Sequence, residues 1–134
     1  MLFQLHSFAH GRPELKKLIA LAASVCVLAG CSNDNAKNEI KQILECSMAA
    51  KLVGKPGMID VITDHANWVA AKSGYKPEPA DFQKMHDEIK AKWGLKSLSR
   101  HDQDQLLVNI YNSEKCRSLH KGDPLSVDDV PPDA

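Results

Sequence analysis

Apolar positions in the second part of the chain recur at three- and four-residue steps, the spacing that places side chains on one face of an α-helix. Ile40, Ile43, Leu44, Ser47 and Ala50 make one such stripe, with Lys37, Lys41, Glu45 and Lys51 mostly outside it. The stripe predicts a helix from about Asp34, as N-cap, to just before Gly54, followed by a turn at Lys55, Pro56 and Gly57. A second helix is expected over residues 58–73. Met58, Ile62, His65, Ala66 and Val69 line its face, Val61 and Trp68 lie beside it, and Gly74 stops it. Residues 75–79 then form a connector, because Pro77 and Pro79 disfavour helix at the residues before them.

Phe82, Met85, Ile89 and Trp93 repeat as the core stripe of a third helix over roughly residues 80–93, ended by Gly94. A fourth begins at Ser99, with Asp102 completing an approximate capping box. It continues through Leu106, Leu107, Ile110 and Tyr111 as far as Leu119. From Gly122 the chain is proline-rich and acidic and reads as a flexible tail. With no strand alternation of useful length and no internal repeat, the expected fold is all-α. It is a small bundle of about four antiparallel helices over residues 37–121, with residues 122–134 as the tail.

The first thirty residues have another character. Arg12, Lys16 and Lys17 precede an uncharged run from Leu18 to Ala29. Crossing a bilayer takes roughly 20 apolar residues, so this shorter run behind a basic flank matches a secretory signal instead. A buried core helix is the competing account, but it would set Lys16 and Lys17 directly against the apolar run. The stretch before Lys16 is long for such a signal. A start of translation at Leu15, from a non-standard codon, accounts for that; a precursor whose mapped N-terminus is Met1 excludes it.

Leu28, Ala29, Gly30 and Cys31 resemble the lipobox of bacterial lipoproteins. The resemblance covers only residues 1–31, and there the four-residue pattern, the apolar run and the basic flank coincide. It implies cleavage before Cys31, acylation of the Cys31 thiol, and attachment of the mature chain to a membrane. Ser32 after the acylated cysteine is compatible with sorting to the outer membrane, facing the periplasm, rather than retention in the inner one. Residues 31–36 then serve as a short tether. One acyl chain anchors marginally and two or more anchor stably, so lipid alone is a sufficient attachment.

Of four cysteines, Cys26 leaves with the signal and Cys31 carries lipid, which leaves Cys46 and Cys116. Two thiols in an oxidising compartment are usually paired. A bridge would close a loop of about 70 residues, worth roughly 4 kcal/mol in the chain-entropy model. Free or metal-binding thiols are the alternative, without CxxC spacing or a histidine cluster to support them. On an ideal wheel Cys116 points away from the Leu107–Tyr111 face. Either the last helix distorts near its end, or the first helix contacts its flank.

Removing residues 1–30 takes away Arg12, Lys16, Lys17 and Glu14, leaving 14 of 17 Lys and Arg against 16 of 17 Asp and Glu. A slightly acidic chain is a poor partner for nucleic acid and offers no polybasic patch to anionic lipid. His65, His86 and His101 each adjoin an aspartate, but sequence neighbours do not face each other on a helix. His65 reads as a satisfied core histidine. No HxxxH or HExxH spacing suggests a metal, and no GxSxG, SxxK or P-loop pattern suggests a catalyst. Catalytic residues, metal ligands and cofactors are therefore not expected. Trp93 reads as core; Tyr75, in the connector, and Trp68 are the candidate partner-binding aromatics.

The expectation is a membrane-tethered, non-enzymatic binding or accessory domain in the cell envelope, with the bilayer and an unidentified envelope protein as partners. Its architecture is similar to that of pilotins, small lipidated helical bundles that guide secretion-pore subunits to the outer membrane; no motif carries that likeness. An immunity or exclusion lipoprotein that blocks a toxin or a conjugation apparatus is the second reading. A structural envelope lipoprotein and an envelope enzyme complete the set.

Overall fold

The computed structural model describes the backbone of residues 14–132 and the side chains of residues 33–132. The side chains of Cys26 and Cys31 lie outside the described residues, as do all of residues 1–13. The chain divides into two units, Met1–Ser32 and Asn33–Ala134. Five α-helices occur in chain order: α1 Glu14–Leu52, α2 Met58–Ser73, α3 Pro79–Trp93, α4 Arg100–Tyr111 and α5 Glu114–His120. Short 3-10 turns fall at Leu95–Ser97 and Val127–Asp129. The fold is all-α among the described residues, and no helix there is long and apolar enough to cross a membrane.

Asp34 lies inside α1 instead of capping its start. The chain around it carries no proline, and a single interior glycine such as Gly30 costs only about 1 kcal/mol, so nothing local ends the helix there. The core side of α1 is the expected stripe extended in both directions. Ala36, Ile40, Ile43, Cys46, Ala49, Ala50 and Val53 are all buried. The helix ends where Gly54 takes a left-handed conformation, φ 75°. Pro131, from the far end of the chain, packs so close that a Cβ on Gly54 would lie 2.7 Å from its Cγ. Only glycine suits both demands.

Helix α2 matches its expected bounds and buries Ile62 and Val69. Gly74, at φ 71°, ends it. Helix α3 starts on Pro79, whose fixed φ suits a first helical position. Asp81 accepts a hydrogen bond from the Glu78 backbone N–H at 3.1 Å, which satisfies one orphan donor of the first turn. Met85, Ile89 and Trp93 are buried as expected, but Phe82 is 40% exposed. Phe82 falls within the same arc of the helical wheel as those three. Its exposure follows from position along the axis: it sits in the first turn, at an end of the bundle.

Three ion pairs fix the relation of α1 to α3. Lys37 meets Asp81 at 3.4 Å, Lys41 pairs with Glu88, and Glu45 meets Lys92 at 2.9 Å. Partners advance together along both helices, so α1 and α3 run parallel, with α2 returning between them in the chain. Consequently the part of α1 near Asn33, where the second unit begins, the end of α2, residues 74–78 and the start of α3 all lie at one end of the bundle.

The expected single last helix is two. Tyr111 ends α4; Ser113 caps α5 by accepting a hydrogen bond from the Cys116 backbone N–H at 3.3 Å. Asn112, at the break, turns its side chain onto the later chain, accepting from Leu125 N–H at 2.9 Å and donating to Leu125 C=O at 2.7 Å. The break re-aims Cys116, which forms a disulfide with Cys46 across a Cα–Cα distance of 5.3 Å. Of the two accounts of Cys116 left open by the helical wheel, distortion of the helix is the one realised.

The flexible tail expected after Gly122 is likewise corrected for its described part. Leu125, Val127 and Val130 pack against the core, and Arg100 donates to the Pro131 carbonyl at 3.3 Å. These three apolar side chains give the segment something to bury, which its overall acidic composition conceals.

Candidate functional site

On α2, Val61, His65, Trp68 and Lys72 follow one another at i, i+4, i+7 and i+11, beside the buried Ile62 and Val69. That spacing makes them a single surface stripe. Trp68 is 54% exposed and Val61 49%, which with Phe82 are the exposed large hydrophobic side chains among the described residues. The indole of Trp68 is flanked on its own helix. The His65 ring centroid is 5.5 Å away, and the Lys72 ammonium lies 4.8 Å from the ring centroid, within cation–π range. These neighbours orient the ring but leave about half of it in water.

Behind the stripe, Glu39 of α1 faces two nitrogen-bearing side chains. Its Oε1 lies 3.9 Å from His65 Nε2 and 3.8 Å from Lys115 Nζ of α5. His65 is thus a half-exposed neighbour of Glu39 and not the core histidine expected; its ring stands beside the buried arc, where it meets α1's charged flank. One carboxylate links three helices here, and pairs this exposed are each worth a fraction of a kcal/mol.

Tyr75 differs from its expected exposure. Its ring packs against the core, and its hydroxyl oxygen is buried without a hydrogen bond of good geometry. Burial, then the negative charge of Asp81, raises its pKa above the ordinary tyrosine value. Asp81 is shifted the other way. The Glu78 backbone N–H favours its ionised form first, and Lys37 adds to that. The exposed aromatic surface of this end is therefore Trp68 and Phe82, not Trp68 and Tyr75.

Of the other histidines, His86 on α3 holds Nδ1 3.5 Å from Asp87 Oδ1, and His101 is exposed in the first turn of α4. His65, His86 and His101 stand on three different helices with separate neighbours. No group of three His, Cys, Asp or Glu side chains converges as a metal site would require among the described residues.

His120, which no local pattern singles out, is buried and stacked on Tyr111 with ring centroids 4.1 Å apart. Its Nδ1 accepts from Gly122 N–H at 2.8 Å, so the ring proton belongs on Nε2, which donates to the Tyr111 carbonyl at 3.0 Å. Both ring nitrogens are satisfied internally, which makes His120 a staple of the chain leaving α5. The Asn112 side chain, at the break before α5, acts in the same way on Leu125.

A shallow hollow of about 500 Å³ borders the disulfide, lined by Gln42, Glu45, Lys92, Asn109, Lys115 and neighbouring residues. Its ionisable lining is already engaged. Glu45 accepts from both Lys92 and the buried Trp93 indole N–H at 2.9 Å, and Lys115 faces Glu39. The Trp68 stripe, in contrast, leaves apolar area uncovered, and it is the better candidate for contact with another molecule. Compared with family models, curated proteins and solved structures, the chain matches none.

Proposed function

We propose that this chain is a lipoprotein, held at a bilayer by acyl chains on Cys31, whose helical domain is a non-enzymatic binding or accessory module of the cell envelope. The outer membrane, on its periplasmic side, is the proposed site, and an adaptor role like that of pilotins is the proposed mode.

The observation that carries the reading is the Cys46–Cys116 bridge following the Leu28-Ala29-Gly30-Cys31 segment. Structural disulfides persist in oxidising compartments and are rare in reducing ones, so the bridge supports the export that the N-terminal segment signals. The uncovered aromatic area at Trp68 and Phe82 supports a binding role, because the few residues that dominate protein interfaces are enriched in tryptophan and large exposed apolar patches mark contact sites.

The test is metabolic labelling with an alkyne fatty acid, followed by crosslinking and pull-down from intact envelopes. Label retained by the wild type and lost in Cys31→Ser supports the anchor; an unlabelled wild type refutes it. One dominant envelope-machine partner supports the adaptor. A toxin or conjugation component in its place would make the protein an inhibitor, and no specific partner would leave a structural role.

A further inference from the structure

We infer that the end of the bundle carrying Trp68 and Phe82 rests on the lipid headgroup layer, so that the domain lies with this end against the bilayer that anchors it. The inference rests on the lipidation reading above and adds an orientation and a contact surface to it.

Chain length makes the case. Asn33 is two residues beyond Cys31, and two extended residues span at most about 7 Å. Acyl chains on Cys31 therefore bring the start of the second unit, at Asn33, to within a few ångströms of the headgroups. The α1 segment from Asn33 shares its end of the bundle with the last turns of α2, residues 74–78 and the first turn of α3, as the Lys37–Asp81 and Glu39–His65 contacts establish. Trp68 stands about one and a half turns from the end of α2, and Phe82 stands in the first turn of α3.

The chemistry of this end suits that surface. Tryptophan is favoured at membrane–water boundaries, where its ring is taken up and its N–H remains hydrogen-bonded. Lys72, over the Trp68 ring, and Lys76 in the connector are exposed cations within reach of lipid phosphates, with long stems able to lie along the boundary. Exposed Asp34 and Glu78 offset those cations, and Asp81 is already paired with Lys37. The contact is thus aromatic in character, not a polybasic attraction to anionic lipid.

The two tryptophans give a direct readout, because Trp93 is buried and donates to Glu45 while Trp68 is exposed. The acylated, processed protein is incorporated into phosphatidylethanolamine–phosphatidylglycerol vesicles and floated to establish anchoring. Emission is then compared between ordinary vesicles and vesicles whose lipids are brominated near the headgroup end of the acyl chains, for wild type and Trp68→Phe. The expected result is bromine quenching in the wild type that is lost in Trp68→Phe, with helix content and the disulfide intact. Protein that floats but shows no quenching assignable to Trp68 overturns the orientation and leaves the anchor standing. Emission that shifts with protein concentration, and not with bromination, overturns it in favour of a second copy covering the stripe. Acyl-labelled protein that fails to float removes the anchor, and the orientation with it.

Discussion

Two regions of this domain treat their polar and aromatic groups differently. Around α4, α5 and residues 122–132, three of these groups are engaged inside the fold. Cys116 is bridged to Cys46, His120 has both ring nitrogens bonded, and Asn112 clamps the backbone of Leu125. Around the end of α2 and the start of α3, ion pairs lie on the surface and two large aromatics are left in water. Groups that satisfy one another hold a shape; groups left over are available to something else. The first region is the brace and the second the proposed contact surface.

The brace can be broken most directly at the disulfide. Replacing Cys46 and Cys116 together by Ala should cost about 4 kcal/mol, since the bridge closes a loop of 70 residues. For a domain of this size that is a fall in Tm of roughly 15–30 °C, readable by circular dichroism. A fall under about 5 °C would mean that packing alone holds α5 in place, and the division between the two regions would lose its main support.

A smaller effect isolates the polar clamp. Asn112→Ala leaves the N–H and C=O of Leu125 without their side-chain partners, at a cost of about 1–3 kcal/mol. The loss should be local. Hydrogen exchange at the Leu125 amide should accelerate while amides of α2 and α3 keep their protection. Uniform acceleration would show that the segment after α5 is integral to the whole domain.

What could be read from the sequence divides along the same line. Helices α2 and α3 were legible because apolar spacing, Gly74 and Pro79 act within a turn or two of themselves. The break between α4 and α5 was not, because it is decided at a distance. Asn112 is drawn to Leu125, thirteen residues on, and Cys116 to Cys46, seventy residues back. The packing of residues 125–130 had a signal in Leu125, Val127 and Val130, outweighed by the acidic and proline content around them. At the contact surface, Trp68 was named as a partner candidate from its residue type. That Phe82 would join it and Tyr75 would not depends on where the bundle ends, which helical periodicity does not specify. Glu39 carried no local sign of linking three helices.

Trp68→Ala should change stability by less than about 1 kcal/mol, as expected for a side chain half in water whose neighbours lie on its own helix. Chemical denaturation of the protein in detergent would measure it. A loss above about 3 kcal/mol, the range of buried large-to-small substitutions, would place Trp68 in the core and remove the contrast with the brace.

The pH dependence of stability should report on both regions, from opposite limbs. Asp81 and Asp129 are held below the ordinary aspartate value of 3.8, chiefly by the backbone N–H groups of Glu78 and Ser126. Their contribution is fully present above that value and is lost as pH falls through their lower folded pKa values. Tyr111 in the brace is pushed above the ordinary tyrosine value of 10.0, first by burial and then by Asp123. Its contribution is present below pH 10 and is lost as pH rises, because the unfolded chain ionises before the folded one. Tyr75 is raised too, in the other region. Denaturation midpoints of Tyr111→Phe and Tyr75→Phe above pH 10 therefore compare the two regions directly. Flattening of the alkaline limb by Tyr111→Phe, and much less by Tyr75→Phe, is the result expected if the brace is the more tightly closed of the two. Equal flattening would mean that the end bearing Trp68 excludes water as well as the brace does, leaving exposed aromatics as the difference between them.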